Sequence, residues 1–193
     1  DYRLAPENPH PAAVDDAVRA FRFVRGSGMA AGRIGFAGDS AGGGLAVAAL
    51  LALRDAGEML PAAAVCISPW LDLTLSGGSM TALADVDPML RRDDLERMAA
   101  LYAGATPRGA ALVSPLFADL AGLPEILVQV GGAEVLLDDS LRFVARLRAA
   151  GVEVSLDMYE DMIHVWHAFA TVLPEAGDAI GRIGDFLRRR LAG

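Results

Sequence analysis

The sequence predicts an α/β domain with a mainly parallel sheet of about four strands, flanked by helices. Short apolar segments alternate along the chain with segments of helical periodicity, which is the pattern of such a domain. Most of the apolar segments are nearly continuous, as expected for strands that are covered on both faces. With 193 residues, 53% of them hydrophobic, the chain is long enough to bury the core of one domain, which we expect to span residues 1–193.

Four short apolar segments are predicted as buried strands. They are Ile34–Ala37, Ala63–Ser68, Ile126–Val130 and Val154–Tyr159. Helices are predicted where apolar residues recur with helical spacing, and a glycine follows two of them as a helix stop. These helices cover Pro11–Val24, Ala41–Ala56, Ser140–Ala149 and Pro174–Leu191.

Residues 72–123 interrupt this alternation with a long segment that has no strong strand signal. The segment contains one predicted helix, Asp93–Tyr102, and several turn residues. A long excursion of this kind is typical of a lid or binding insertion, so we expect a cap-like insertion above an apolar pocket. Ordinary packing explains its apolar residues equally well. Those considered for the pocket are Leu73, Met80, Leu83, Met89 and Leu90.

The composition excludes several classes of protein. The formal net charge is −8, and the 17 basic residues, all Arg, are scattered apart from Arg188–Arg190, so no nucleic-acid partner is expected. The single cysteine, Cys66, lies in an apolar segment, which predicts a buried core residue, a reducing compartment and a cytoplasmic location. No apolar run reaches the roughly 20 residues of a membrane span.

One motif combines a predicted strand, a sharp turn and a predicted helix. Gly38-Asp39-Ser40-Ala41-Gly42 has the Gly-x-Ser-x-Gly pattern of a nucleophile elbow. Such a turn strains the serine backbone, and we expect a Cβ at Gly38 or Gly42 to clash with neighbouring elements. The turn exposes the Ser40 hydroxyl, and the helix amides, Ala41 first, face a developing oxyanion. Ala41 and its neighbour Asp39 are therefore candidate oxyanion or substrate-binding residues.

Other interpretations of the glycine-rich segments are weaker. Ser40 as a plain helix N-cap is the structural alternative. A phosphate-binding loop needs a lysine after its last glycine, and the chain contains no lysine. Gly26–Ala31 has the spacing of a dinucleotide-binding motif, but it follows a helix and precedes a strand, which is the reverse of the required context.

Three histidines are candidates for the base that a serine nucleophile needs. His10 precedes Ser40 and is flanked by prolines, so it is predicted to be a surface turn residue. His164 follows the last predicted strand, at the sheet edge where an open parallel sheet places its active site, and we assign it as the base. His167 is predicted to be a structural residue in a short helix. A metal site at these two histidines lacks an obvious third ligand, so no metal is expected.

The acid is expected after the third predicted strand, because the chain order in this type of site is Ser, acid, His. Glu134 lies four residues past the strand end, in the loop, and is the first choice. Asp138, the second choice, and Asp139 fall where the next helix begins, a position at which Asp is more often a cap.

Three motifs carry a family resemblance. They are Asp1–Glu7 (Asp-Tyr-Arg-Leu-Ala-Pro-Glu), Gly38–Gly43 and Asp161–His164. They resemble the bacterial hormone-sensitive-lipase family of carboxylesterases, which has the α/β-hydrolase fold, and the resemblance runs along nearly the whole chain. It implies that Ser40 is the nucleophile and His164 the base. Many members carry Asp-Pro-Leu-Arg-Asp at the acid position, and its alignment on Leu136–Asp138 places Glu134 at the catalytic acid.

The resemblance implies a serine carboxylesterase that hydrolyses short- to medium-chain esters through an acyl-enzyme. It implies a small-molecule ester as partner, no metal or organic cofactor, and a possible homodimer. The same triad could serve a peptidase, an amidase or an acyltransferase. In the family a His-Gly-Gly-Gly oxyanion loop precedes the segment that matches Asp1–Glu7, so we expect this sequence to be N-terminally truncated. The non-enzymatic alternative is a catalytically impaired fragment that only folds or pairs with another chain.

Overall fold

The computed structural model describes residues 1–191, and these contain a parallel β-sheet of four strands in the order β1-β2-β3-β4. The strands are β1 (Gly35–Asp39), β2 (Ala63–Ile67), β3 (Glu125–Gly131) and β4 (Val154–Tyr159). All neighbouring strands pair in parallel, so their carboxyl ends meet at one edge of the sheet. The predicted fold class and the four predicted strands are confirmed, with small differences at strand ends.

Helices connect and flank the strands. They are α1 (Ala12–Gly26), α2 (Ala41–Asp55), α3 (Ser79–Ala82), α4 (Arg92–Ala103), α5 (Leu137–Ala149) and α6 (Pro174–Leu191). Short 3-10 helices lie at Ala31–Arg33, Pro115–Phe117 and Trp166–Phe169. Gly57 and Gly151, which follow α2 and α5, both have positive φ, as predicted for glycines that end helices. Between residues 1 and 191, no helix has the length and apolar character needed to cross a membrane.

Both faces of the sheet are covered, which explains the nearly continuous apolar strands. Helices α2 and α5 pack on one face, against strand residues that include Cys66 and Val128. Helix α6 packs on the other face through Phe186, against Val65 and Leu127. Cys66 is fully buried in the first of these cores, and burial raises the pKa of its thiol to about 12. The prediction of a buried core cysteine is confirmed.

Residues 72–123 lie between β2 and β3 and contain α3 and α4 but no strand. Buried apolar residues of this insertion between Leu73 and Val113 form a second cluster, which also includes Val135 and Leu136 just before α5. Those from Leu116 to Leu123 belong instead to the core beneath α2 and α5. Met80 is in this cluster, with Leu83 and Leu90 packed against it, whereas Met89 is exposed. Met80, Leu83 and Leu90 are therefore packing residues, and neither they nor Met89 line a pocket.

Candidate active site

Ser40 occupies the sharp turn between β1 and α2, with φ 51° and ψ −121°. A positive φ is rare for a residue with a side chain, and surrounding contacts must maintain it. The Ser40 amide donates a hydrogen bond to the Ile67 carbonyl at 2.9 Å, and its own carbonyl accepts one from the Trp70 amide at 2.9 Å. The chain that follows β2 therefore holds the turn in place.

Of the two glycine positions predicted to have no room for a side chain, the structure confirms one. A Cβ at Gly38 would lie 2.2 Å from the Gly42 carbonyl oxygen, so the predicted clash there is confirmed. A Cβ at Gly42 would have no atom of the described chain within 4 Å, so the predicted clash at that position is wrong. Close packing instead involves Gly44, where a Cβ would lie 2.2 Å from the Trp70 carbonyl oxygen. The motif thus marks the sharp turn, but the positions without room for a side chain include Gly38 and Gly44 and not Gly42.

His164 lies in the loop after β4, buried between the serine and a carboxylate. Its Nε2 is 2.9 Å from Oγ of Ser40, and its Nδ1 is 2.6 Å from Oε2 of Glu134. A carboxylate only accepts hydrogen bonds, so the Nδ1–H of His164 donates to Glu134. The lone pair of Nε2 is then left to accept the hydrogen bond of the Ser40 hydroxyl. The structure brings the three predicted residues into one hydrogen-bonded chain.

The Glu134 carboxylate is fully buried and is oriented by several donors. Its Oε1 accepts hydrogen bonds from the Gly131 amide at 2.7 Å and from the Ser68 hydroxyl at 2.8 Å. These bonds leave Oε2 directed at His164. A buried carboxylate without such partners would be costly, so the two donors both stabilise it and fix its rotamer.

Ser68 is a residue of the site that the sequence analysis did not single out. It follows β2 at the same sheet edge as the other site residues, and it has a positive φ of 43°. Its hydroxyl donates to Glu134 and accepts a hydrogen bond from the amide of Val165, the neighbour of His164, at 3.2 Å. The sequence did contain a signal for this residue, because Ser68 is a polar residue directly after an apolar strand and is followed by Pro69.

Two glycines let the loops that carry Glu134 and His164 lie against each other. A Cβ at Gly131 would lie 2.1 Å from the Met162 carbonyl oxygen, and one at Gly132 would lie 2.2 Å from the Glu160 carbonyl oxygen. No side chain fits at either position without movement of backbone. The close approach of the Glu134 and His164 loops therefore depends on this glycine pair.

The second-choice acid, Asp138, does not lie at the imidazole. Asp138 and Asp139 are in the first turn of α5, and neither caps that helix. Oδ2 of Asp138 accepts a hydrogen bond from the Ser79 amide at 3.0 Å. Oδ2 of Asp139 accepts two, from the amides of Leu71 and Asp72, each at 2.8 Å. Both carboxylates tie the start of α5 to the insertion, so the expectation that they act as helix caps is wrong.

The two candidate oxyanion residues differ in what they can contribute. Ala41 is the first residue of α2, and a helix leaves the amides of its first turn without partners within the helix. Asp39 is exposed, and its negative charge acts on His167, where it opposes a lowering of the pKa. A carboxylate has no hydrogen to donate to an oxyanion, so Ala41 is the better candidate.

His167 is a structural residue, as predicted. It lies in the 3-10 helix Trp166–Phe169, and its Nε2–H donates to Oε1 of Gln129 at 2.7 Å. The amide nitrogen of Gln129 donates in turn to Asp157 and Ala179, which fixes this orientation. Burial lowers the pKa of His167 to about 4. The residue is therefore neutral at pH 7.

His10 lies in a turn, as predicted, but it is not fully at the surface. It is half-buried, its amide donates to the Tyr102 carbonyl at 2.7 Å, and its Nδ1 is 3.3 Å from Oγ1 of Thr106. Burial lowers its pKa. It packs against the end of α4, away from the hydrogen-bonded chain at Ser40. Within residues 1–191 no group of three or more His, Cys, Asp or Glu side chains could hold a metal ion.

A cavity of about 310 Å³ lies beside the elbow, on the side of α2. Ala41, Gly44 and Leu45 line it from α2, and residues 2–5 line another side. The insertion contributes mainly apolar side chains. These are Leu73, Met98, Leu101, Tyr102, Leu112 and Val113. Of the residues considered for a pocket from the sequence, only Leu73 lines this cavity.

Comparisons with known proteins agree with this geometry, in which a serine with a positive φ lies between a strand and a helix and is hydrogen-bonded to a histidine. The sequence profile of the alpha/beta hydrolase fold family matches residues 1–168. The chain belongs to this family. It is similar to an acetyl-hydrolase of Streptomyces hygroscopicus, with 51% identity over 187 residues, and to an esterase of Acinetobacter venetianus, with 38% identity. These matches cover 97% and 96% of this hydrolase-fold chain.

Solved structures resemble the hydrolase-fold chain over nearly its whole length. An esterase from the bacterial hormone-sensitive lipase family superposes with a TM-score of 0.97 at 53% identity and covers 99% of the chain. The esterase EstE5, soaked with p-nitrophenyl butyrate, superposes with a TM-score of 0.97 at 47% identity. The predicted family resemblance is confirmed. The chain spans about 62% of the length of these curated relatives and about 64% to 65% of the two solved chains.

Proposed function

We propose that the protein is a serine carboxylesterase, with Ser40 as nucleophile, His164 as general base and Glu134 as the acid that orients it. The observation that carries the proposal is the continuous hydrogen-bonded chain from Oγ of Ser40 through both ring nitrogens of His164 to Glu134. A serine hydroxyl is a weak nucleophile until an adjacent base accepts its proton, and this chain supplies that base in the required tautomer.

The proposed reaction has two halves. In the first, Nε2 of His164 takes the hydroxyl proton as Oγ of Ser40 attacks the ester carbonyl carbon, and the resulting oxyanion faces the Ala41 amide. The tetrahedral intermediate collapses, the ester C–O bond breaks, and the proton on His164 passes to the departing alcohol. In the second half His164 activates a water that attacks the acyl-serine, and release of the acid restores Ser40.

Glu134 has an electrostatic role in this proposal. While His164 is protonated, its charge lies 2.6 Å from a carboxylate that is shielded from water, where attraction between opposite charges is stronger than in solvent. Because Ser68 and Gly131 already orient that carboxylate, it need not reorganise as the charge develops.

The cavity beside the elbow supports an ester with a short- to medium-chain apolar group as substrate. It lies next to Ala41, the residue after the nucleophile, and most of its lining is apolar. Its volume of about 310 Å³ is at the small end of ligand pockets, which typically measure about 300–1,000 Å³. This size favours a few methylene groups over a long fatty acyl chain. Similarity to an acetyl-hydrolase and to esterases points the same way.

The test is hydrolysis of p-nitrophenyl butyrate by the chain and by its Ser40→Ala variant. We expect the variant to lose at least about a thousandfold in kcat, since loss of a serine nucleophile costs up to about a millionfold in comparable hydrolases. Ser140→Ala is the matched control, because Ser140 is fully buried and its hydroxyl has no hydrogen-bond partner among the described residues. Equal rates for the wild type and Ser40→Ala would end the proposal.

A further inference from the structure

Residues of the insertion contact both the backbone and the side chain of Val135, the residue directly after Glu134. Its amide donates a hydrogen bond to Oδ2 of Asp87 at 2.9 Å, and its carbonyl accepts one from the Ser79 hydroxyl at 2.6 Å. Its side chain is buried in the apolar cluster of the insertion. The backbone donor, the backbone acceptor and the side chain of one residue are thus all bound by residues 72–123.

Asp87 is buried, and its carboxylate is fixed before it reaches Val135. Oδ1 accepts hydrogen bonds from the amides of Met89 at 2.8 Å and Leu90 at 3.0 Å, which lie in the turn that follows. These two bonds leave Oδ2 directed at the Val135 amide. A buried carboxylate is costly unless its oxygens are satisfied, and here three amides satisfy them.

Ser79 extends the same connection to the start of α5. Its hydroxyl donates to the Val135 carbonyl and accepts a hydrogen bond from the Asp138 amide at 3.0 Å. Its own amide donates to the Asp138 carboxylate at 3.0 Å. The segment from Ser79 to Leu90 therefore fixes the backbone on the C-terminal side of Glu134.

We propose that Asp87, together with Ser79, is a positioning residue that keeps Glu134 within reach of His164, an inference that rests on the proposed function. The Glu134 carboxylate is attached through three rotatable bonds, so its position relative to the imidazole depends on where its backbone is held. Gly131 and Ser68 act on the carboxylate, whereas Asp87 and Ser79 act on the backbone. A displacement of about 1 Å at a catalytic group can cost up to about a hundredfold in rate.

Asp87→Asn is a selective test of this connection. The remaining carbonyl oxygen of the asparagine can still accept from Met89 and Leu90, whereas its amide group then faces the Val135 N–H and cannot accept from it. Asp85→Asn is the matched control, because Asp85 is exposed and lies two residues away in the same segment. Both variants should keep the fold, which the near-UV circular dichroism spectrum checks.

With p-nitrophenyl butyrate, we expect Asp87→Asn to lower kcat about tenfold with KM changed less than about twofold, and Asp85→Asn to change neither. In a Glu134→Gln background, Asp87→Asn should lower kcat no further, because the group that it positions is already altered. A tenfold loss that persists in that background, or no loss in the wild-type background, would overturn the proposal.

A spectroscopic readout separates this proposal from the proposed function. We expect the Nδ1 proton of His164 to give a low-field proton NMR signal because of its short hydrogen bond to Glu134, and the loss of that signal in His164→Ala would assign it. We expect Asp87→Asn to move or broaden this signal and Asp85→Asn to leave it unchanged. If the wild type is no more active than Ser40→Ala, the proposed function fails, and the NMR signal alone decides the positioning role. An unchanged signal in Asp87→Asn would refute that role.

Discussion

Oγ of Ser68 lies 2.8 Å from Oε1 of Glu134 and at the same time accepts a hydrogen bond from the amide of Val165, which follows His164. One hydroxyl at the end of β2 thus joins the loop of Glu134 to the loop of His164. Loss of the Ser68 hydroxyl should therefore affect both loops, although Ser68 is not among the residues that line the cavity.

Ser68→Ala should lower kcat for p-nitrophenyl butyrate about tenfold and leave KM nearly unchanged. The substitution leaves an oxygen of Glu134 short of one donor, and a loss of about 1.4 kcal/mol of transition-state stabilisation corresponds to that factor. Steady-state kinetics check this expectation, with Ser140→Ala as the control. An unchanged kcat in Ser68→Ala would mean that the remaining donors hold Glu134 unaided.

Separate alanine variants of Glu134 and Asp138 distinguish the two candidate acids. We expect Glu134→Ala to lower kcat about a thousandfold or more, because the imidazole loses the carboxylate that orients it and stabilises its charged form. We expect Asp138→Ala to keep kcat within a few-fold and to lower the free energy of unfolding by about 1 kcal/mol, because the Ser79 amide loses its acceptor. Kinetics and urea unfolding measure these effects. Inactivity confined to Asp138→Ala would reverse the assignment.

Leu101→Trp should narrow the range of esters that the chain hydrolyses. Leu101 lines the cavity and is 44% exposed, so a larger side chain can replace it without disturbing the core. We expect the ratio of kcat/KM for p-nitrophenyl hexanoate to that for the acetate to fall about tenfold, since each buried methylene is worth about 0.8 kcal/mol. Phe117→Trp is the control, at an exposed insertion residue outside the cavity lining. An unchanged ratio in Leu101→Trp would mean that the acyl chain binds outside this cavity.

The stability of the fold should depend on pH through His167. Burial lowers the pKa of His167 to about 4, below the value of about 6.5 for an unfolded chain. The unfolded state therefore binds a proton that the folded state does not bind between these values. This contribution to stability is fully present above about pH 6.5 and is lost as the pH falls toward 4.

Between pH 7 and pH 5 we expect the wild type to lose about 2 kcal/mol more of its free energy of unfolding than His167→Gln. Glutamine retains a donor for Oε1 of Gln129 but does not titrate. Urea unfolding at the two pH values measures the difference between the two chains, so titration of all other groups cancels. Equal pH dependence in both chains would show that His167 does not titrate as described.

The sequence was sufficient for those features that depend on local pattern. Apolar runs and helical periodicity located all four strands and the main helices, and the motif around Ser40 located the strained turn. The positions of Glu134 and His164 after successive strands placed them at one sheet edge, because parallel strands end together there.

The features that could not be predicted from the sequence depend on contacts between distant segments. Ser68 is bonded to residues 66 and 97 positions away along the chain. Asp138 and Asp139 occur at a helix start, where a cap is expected, but their carboxylates accept hydrogen bonds from the amides of Leu71, Asp72 and Ser79 instead. Gly42 matches the motif but has room for a side chain, whereas Gly44 has none. This difference arises from the packing of α2 on the segment after β2, which the motif does not describe.

The hydrogen-bonded residues Ser40, Ser68, Glu134 and His164 each follow a different one of the four strands. A chain in which the last strand, β4, has not docked lacks His164 beside Ser40, and under the proposed function the Ser40 hydroxyl then has no base to activate it. Covalent labelling of Ser40 by a fluorophosphonate would therefore report how many molecules in a refolding sample have docked their last strand.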